Sequence, residues 1–132
     1  MKFIDGKGVT LGRLASFVAK EILKGVEVSL LNSDLVIITG NRKTIEREFT
    51  EKRSRFGHSQ KGPKHPATSE KIVKRAIRGM LPNHREGRGK EAFKRVRCYV
   101  GIPKQFSEEK LITLNKERKM KFSEIKEFTK RK

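Results

Sequence analysis

Between Lys52 and Arg97 the chain carries fifteen lysines and arginines but only three acids, Glu70, Glu86 and Glu91. This block holds +12 of the net +18; residues 1–51 contribute +1 and residues 98–132 the remaining +5. No other feature restricts the fold so strongly. Charges of one sign at this density cannot be gathered into a core, and they repel one another until a polyanion neutralises them. Any fold must leave the stretch outside, on a scaffold made from the rest. Gly57, Gly62, Pro63, Pro66, Gly79, Pro82, Gly87 and Gly89 punctuate it. They shape loops and let backbone come close to a ligand.

A chain of 132 residues is expected to form one domain with room for a real core. Hydrophobic residues make up 34% and charged ones 36%, so that core is lean and its exterior charged. A pI near 10.5 points to nucleic acid as the partner. The rival, an anionic membrane, is disfavoured because no run of about 18 apolar residues exists to span one. Asp5, Gly6, Lys7 and Gly8 interrupt any signal-peptide pattern, so a cytoplasmic location is expected. Cys98 is the only cysteine, which excludes an internal disulfide framework and fits a reducing compartment.

Along the chain, Phe3-Ile4 reads as a brief strand turned by Gly6-Lys7-Gly8. Leu11, Leu14, Ala15, Val18 and Ile22 recur at helical spacing, with Arg13, Lys20 and Lys24 off the stripe. Thr10 is suited to cap that helix and Gly25 to stop it. Val26–Leu31 and Leu35–Thr39 read as strands. The continuous apolar run Leu35-Val36-Ile37-Ile38 suits a strand covered on both faces. Asn32-Ser33-Asp34 between them is either a hairpin turn or a bulge or bend. A polar helix follows over Lys43–Lys52, with Ile45 and Phe49 four apart, and then loop over Arg53–Ala67.

Thr68 or Ser69 caps the next helix, with Glu70 in its first turn and Ile72, Val73, Ala76, Ile77 and Met80 as its apolar face. Pro82 closes it. Gly89–Lys94 reads as a short helix and Val96–Val100 as a strand with Cys98 toward the core and Arg97 on a basic face. Helices alternating with strands predict a layered α/β domain with helices on both sheet faces. That domain is expected over residues 1–103, with a basic insert at about 52–68; residues 104–132 form a basic, partly helical extension. In the extension Phe122, Ile125 and Phe128 suggest a short amphipathic helix, and Lys130-Arg131-Lys132 a solvated or RNA-tracking end.

Catalytic and nucleotide-binding motifs fail on spacing. Gly6-Lys7-Gly8 with Gly12 is one residue too long for a dinucleotide fingerprint, and turn formation accounts for it. In Gly40-Asn41-Arg42-Lys43-Thr44, Arg42 and Ile37 stand where a phosphate loop requires glycine. His58, His65 and His84 are too scattered to make a metal site with Cys98. No cofactor, metal or small-molecule substrate is expected, and no paired carboxylates suggest acid–base work. The basic residues support binding instead: neutralising several phosphates releases counterions and gives steep salt dependence. A charge run on a helix is ordinarily a solvated face, and for Lys71 and Lys74 the sequence leaves that reading and phosphate contact equally open. The only interleaved aromatics are Phe56 and Phe93, so base stacking is a minor theme and recognition of folded RNA by shape and backbone fits better.

Four motifs, in this order over about Phe3–Gly101, resemble the ribosomal protein L-thirteen family of the large subunit. They are Thr10-Leu11-Gly12-Arg13-Leu14-Ala15-Ser16; Asn32 with Val36-Ile37-Ile38-Thr39-Gly40-Asn41; Arg78-Gly79-Met80-Leu81-Pro82; and Gly89, Ala92-Phe93, Val96-Arg97 and Tyr99-Val100-Gly101. The insert, with Lys61-Gly62-Pro63 and His65-Pro66, is similar to the archaeal and eukaryotic branch. The resemblance implies a three-layer α/β/α sandwich around a four-stranded, mostly parallel or mixed sheet. It also implies a non-enzymatic role in binding large-subunit ribosomal RNA and supporting subunit assembly, beside neighbouring ribosomal proteins. Arg78 and the loop to Arg88 would face RNA, Met80 and Leu81 would pack the helix, and Arg13 would bind phosphate or cap a sheet edge. The expected RNA contacts are therefore Arg13, Arg42, Lys43, Arg53, Arg55, Lys61, Lys64, His65, Arg75, Arg78, Arg85, Arg88, Arg95 and Arg97. Two other classes stand against this reading: a nucleic-acid-processing enzyme using His65 or His84, and a protein adaptor using Phe122, Ile125 and Phe128.

Overall fold

A computed structural model describes residues 1–55, 64–114 and 121–129. Strand β1 (Lys2–Asp5) leads into helix α1 (Leu11–Leu23), whose Leu14, Ala15, Val18 and Ile22 are buried as their spacing predicts. Thr10 occupies the N-cap position, but its hydroxyl makes no capping bond. The helix entry is held by backbone instead: Thr10 bridges to Ile37, and Ile37 N–H donates to the Val9 carbonyl at 2.9 Å. Gly25, at φ +94°, takes the left-handed turn that ends the helix.

Strand β2 (Val28–Leu31) is buried along its length. The apolar run that follows does not form a strand of the main sheet. Ser33–Leu35 is a 3-10 turn, and only Ile37–Thr39 forms a strand, β3. The reason lies in the break before it. Asn32 sits at φ 54°, its side-chain amide donates to Asp5 Oδ1 at 2.8 Å, and the Asn32 and Ser33 N–H groups are taken by the Gly101 and Tyr99 carbonyls. The chain after β2 is thus turned away from the sheet.

Helices α2 (Arg42–Ser54), α3 (Ser69–Gly79) and α4 (Gly87–Lys94) precede strand β4 (Val96–Cys98). On α3, Ile72, Val73 and Ile77 are buried, but Met80 is 44% exposed. The helix stops at Gly79, and Leu81 packs against the core in place of Met80. Thr68 stands at the N-cap of α3, but its hydroxyl neither caps the helix nor finds another partner among the described residues. Gly89 lets α4 start against the preceding turn: a Cβ there would lie 2.3 Å from the Pro82 carbonyl oxygen and 2.5 Å from that of Asn83.

Strand β5 (Leu111–Thr113) completes a four-stranded sheet in the order β4-β2-β1-β5, with every pairing parallel. The α/β fold is therefore the one the alternating pattern implied. Ile4, Val28, Leu30 and Val96 share one hydrophobic cluster with α1, α3 and α4. On the opposite face Phe3 meets Phe106 of the 3-10 turn Lys104–Phe106 with ring centroids 5.0 Å apart, and Tyr99 meets Phe106 at 5.5 Å.

The expected helix through Phe122, Ile125 and Phe128 is replaced by strand β6 (Phe122–Glu124) and a 3-10 turn, Ile125–Phe128. Antiparallel pairing of β6 with β3 holds residues 122–124 extended. Ile125 is fully buried and Phe128 stacks on Phe49 at 5.5 Å, so these two serve the chain's own core and not an adaptor surface; Phe122 is 51% exposed.

Candidate nucleic-acid interface

The limb that returns from the insert, residues 64–67, is tied down by two arginines. Arg75 on α3 donates to the Lys64 carbonyl at 2.8 Å, and Arg53 on α2 donates to the Pro66 carbonyl at 3.2 Å. Arg53 also lies over the Phe49 ring, 5.2 Å from its centroid, and its buried Nε has no partner among the described residues. Both arginines hold the insert's base to the helices that flank it. His65 sits half-buried between them. Burial, and then the positive charges of Arg75, Lys52 and Arg53, pull its pKa below the ordinary 6.5.

Against this limb, α3 opens a groove of about 290 Å³ lined by Lys64, Pro66, Lys71, Lys74, Arg75, Arg78 and Phe93. A second groove of about 310 Å³, lined by Glu70, Lys71, Lys74, Arg97, Cys98 and Tyr99, shares the same two lysines. The Lys74 ammonium stands over the Phe93 ring, 5.1 Å from its centroid. Some cations elsewhere meet acids: Lys52 with Glu48, Arg55 with Glu51, Lys94 with Glu91, and Arg42 with Glu127. Among the described residues none of Lys64, Lys71, Lys74, Arg75 and Arg78 has an acidic partner at ion-pair distance.

The sequence-derived residues are therefore distributed over several places. Lys64, His65, Arg75 and Arg78 gather at the α3 groove or its edge, and Arg97 lines the neighbouring one. Arg85 and Arg88 are exposed on the turn between α3 and α4 and at the start of α4. Arg95 donates to the Ile22 carbonyl at 3.5 Å and so closes the C-terminal end of α1. Arg42 and Lys43 begin α2 and line other grooves, Arg13 is exposed in the first turn of α1, and Lys61 lies outside the described residues, as does Lys130-Arg131-Lys132.

Lys71 and Lys74, which the sequence leaves open between a solvated face and phosphate contact, line both grooves, and Phe93 lines the first. The signal was present: Lys71, Lys74, Arg75 and Arg78 fall at i, i+3, i+4 and i+7, which is one stripe of a helix. Burial pushes the Cys98 thiol up to about 12 and leaves it protonated at neutral pH. No cluster of three or more metal-ligating side chains occurs among the described residues, and none of their helices is long and apolar enough to cross a membrane.

Fold and surface together define a basic α/β domain with a cluster of cations on α3 and the limb packed on it. The family model for ribosomal protein L13 matches residues 1–105, and the chain belongs to that family. It is 47% identical over 105 residues to large ribosomal subunit protein uL13 of Methanopyrus kandleri; the match covers 80% of this chain and 65% of that protein, somewhat under two thirds of its length. The uL13 proteins of Methanocaldococcus jannaschii (42% over 116 residues, 86% of this chain and 84% of that one) and Thermoplasma volcanium (43% over 111 residues, 84% and 80%) are similar.

Proposed function

We propose that this chain is a non-catalytic constituent of the large ribosomal subunit in the cytoplasm. In this reading it binds folded large-subunit ribosomal RNA through α3 and the basic loops, supports assembly of the subunit, and lies beside other large-subunit proteins. One observation carries the RNA reading: five cations of α3 and the adjoining limb line a groove without an acidic partner among the described residues. Such a cluster is costly in the free protein and is relieved by phosphate. Each phosphate contact releases condensed counterions, so log K should fall steeply with log salt concentration.

The test is a salt series of binding to large-subunit ribosomal RNA for the parent chain and for the quadruple variant Arg78→Ala, Arg85→Ala, Arg88→Ala, Arg97→Ala. The parent should show a steep slope; the variant should melt close to the parent, bind at least about tenfold more weakly at low salt, and lose up to about three units of slope. A flat salt response, or a folded variant that binds like the parent, would overturn the reading.

A further inference from the structure

The two grooves beside α3 share a wall but differ in chemistry. One presents Lys64, Arg75 and Arg78 together with the shared lysines and has no acid in its lining. The other adds Glu70, Arg97, Tyr99 and the apolar Cys98 to those same lysines. The first suits a phosphate. The second is less positive, because Glu70 offsets part of its charge, and it suits a base, which can lie on an aromatic side chain while a carboxylate accepts its N–H groups. Lys74 lines both, and the Phe93 ring holds its ammonium by a cation–π contact.

We infer that the grooves form one site for an unpaired RNA nucleotide that straddles Lys74, with its phosphate on the Lys64–Arg75–Arg78 side and its base on the Glu70–Tyr99 side; Phe93 is the positioning residue for Lys74. This rests on the RNA-binding reading above and makes it more specific. A duplex keeps its bases stacked inside and offers a phosphate-lined exterior, which could use the first groove but leaves the second empty. A single strand with splayed bases fills both.

The probes are a single-stranded adenosine 12-mer, an abasic 12-mer and a 12-base-pair RNA duplex, each measured by fluorescence anisotropy, with large-subunit ribosomal RNA in parallel. The parent chain should bind the adenosine 12-mer about tenfold more tightly than the abasic strand, since one stacked base contributes on that order. Lys74→Met should weaken the adenosine 12-mer about fivefold to tenfold more than Lys90→Met, which removes the same charge from an exposed position of α4 that lines neither groove. Phe93→Leu keeps every charge and should weaken the same probe about fivefold and the duplex by less, with thermal melts reporting that each variant folds. Equal affinity for the three probes, or a Lys74→Met loss no larger than that of Lys90→Met, overturns the nucleotide site. If ribosomal RNA still binds with a steep salt slope, the broader reading survives that result; if it does not bind at all, both fall.

Discussion

Glu21 shows how a charge can be carried inside a lean core. It is 6% exposed on α1, and Lys2 and Lys24 reach its two carboxylate oxygens at 2.5 and 2.8 Å. Hydrogen bonds from Lys2 and Lys24, reinforced by their charges, outweigh burial and draw its pKa from 4.5 to about 2. The folded state therefore holds the proton less tightly than the unfolded one. Stability from this group is fully present above pH 4.5 and is lost as pH falls toward 2. Glu21→Gln should lower the melting temperature at pH 7 and flatten its fall between those limits; an unchanged acid limb in urea unfolding would show that the pairing does not act. Two glycines should respond to alanine with opposite signs. Gly89→Ala drives a Cβ onto two backbone carbonyls and should cost about 1–3 kcal/mol, as overpacking does. A Cβ at Gly12 meets nothing within 4 Å, so Gly12→Ala should stabilise the free protein by about 0.5 kcal/mol. Denaturant unfolding of the pair checks both.

Elements whose pattern is local were legible. The α1 stripe, its stop at Gly25 and the alternation Val96, Arg97, Cys98 in β4 all follow from side-chain period along one segment, which short-range geometry enforces. The apolar run at Leu35–Ile38 was not, because its fate depends on partners about seventy to ninety residues away in the chain: Tyr99 and Gly101 draw the break off the sheet, and Phe122–Glu124 supplies the strand that β3 pairs with. The same non-local pairing hid β6 behind a spacing that resembles a helix. Phe128→Ala should therefore cost about 3–5 kcal/mol by emptying the contact with Phe49, and truncation after Phe106, which also removes β5, should lower the melting temperature further still. A truncated chain that melts like the parent would mean that the tail does not support the core.

At the scale of the molecule the basic block is arranged rather than merely exposed. Arg53, Arg75 and Arg95 each give one guanidinium nitrogen to a backbone carbonyl, and so act partly as struts, while Lys71 and Lys74 line the grooves. His65 reports the resulting field. It should be neutral at pH 7, and the fold loses stability through this group as pH falls past 6.5, because the unfolded chain then takes the proton first. Arg75→Ala removes the largest of the charges acting on it and should raise its pKa toward 6.5, read from its ring-proton shifts by NMR. No movement would mean that the Arg75 charge does not act on it.

Composition and local period were enough to determine an α/β scaffold with its positive charge confined to the middle of the chain, since net charge and helical spacing need no knowledge of distant contacts. Which cations face open solvent and which brace the protein itself was decided only by tertiary structure. A guanidinium has the same five donors in either role, and only the folded backbone determines whether a carbonyl or open solvent lies within their reach.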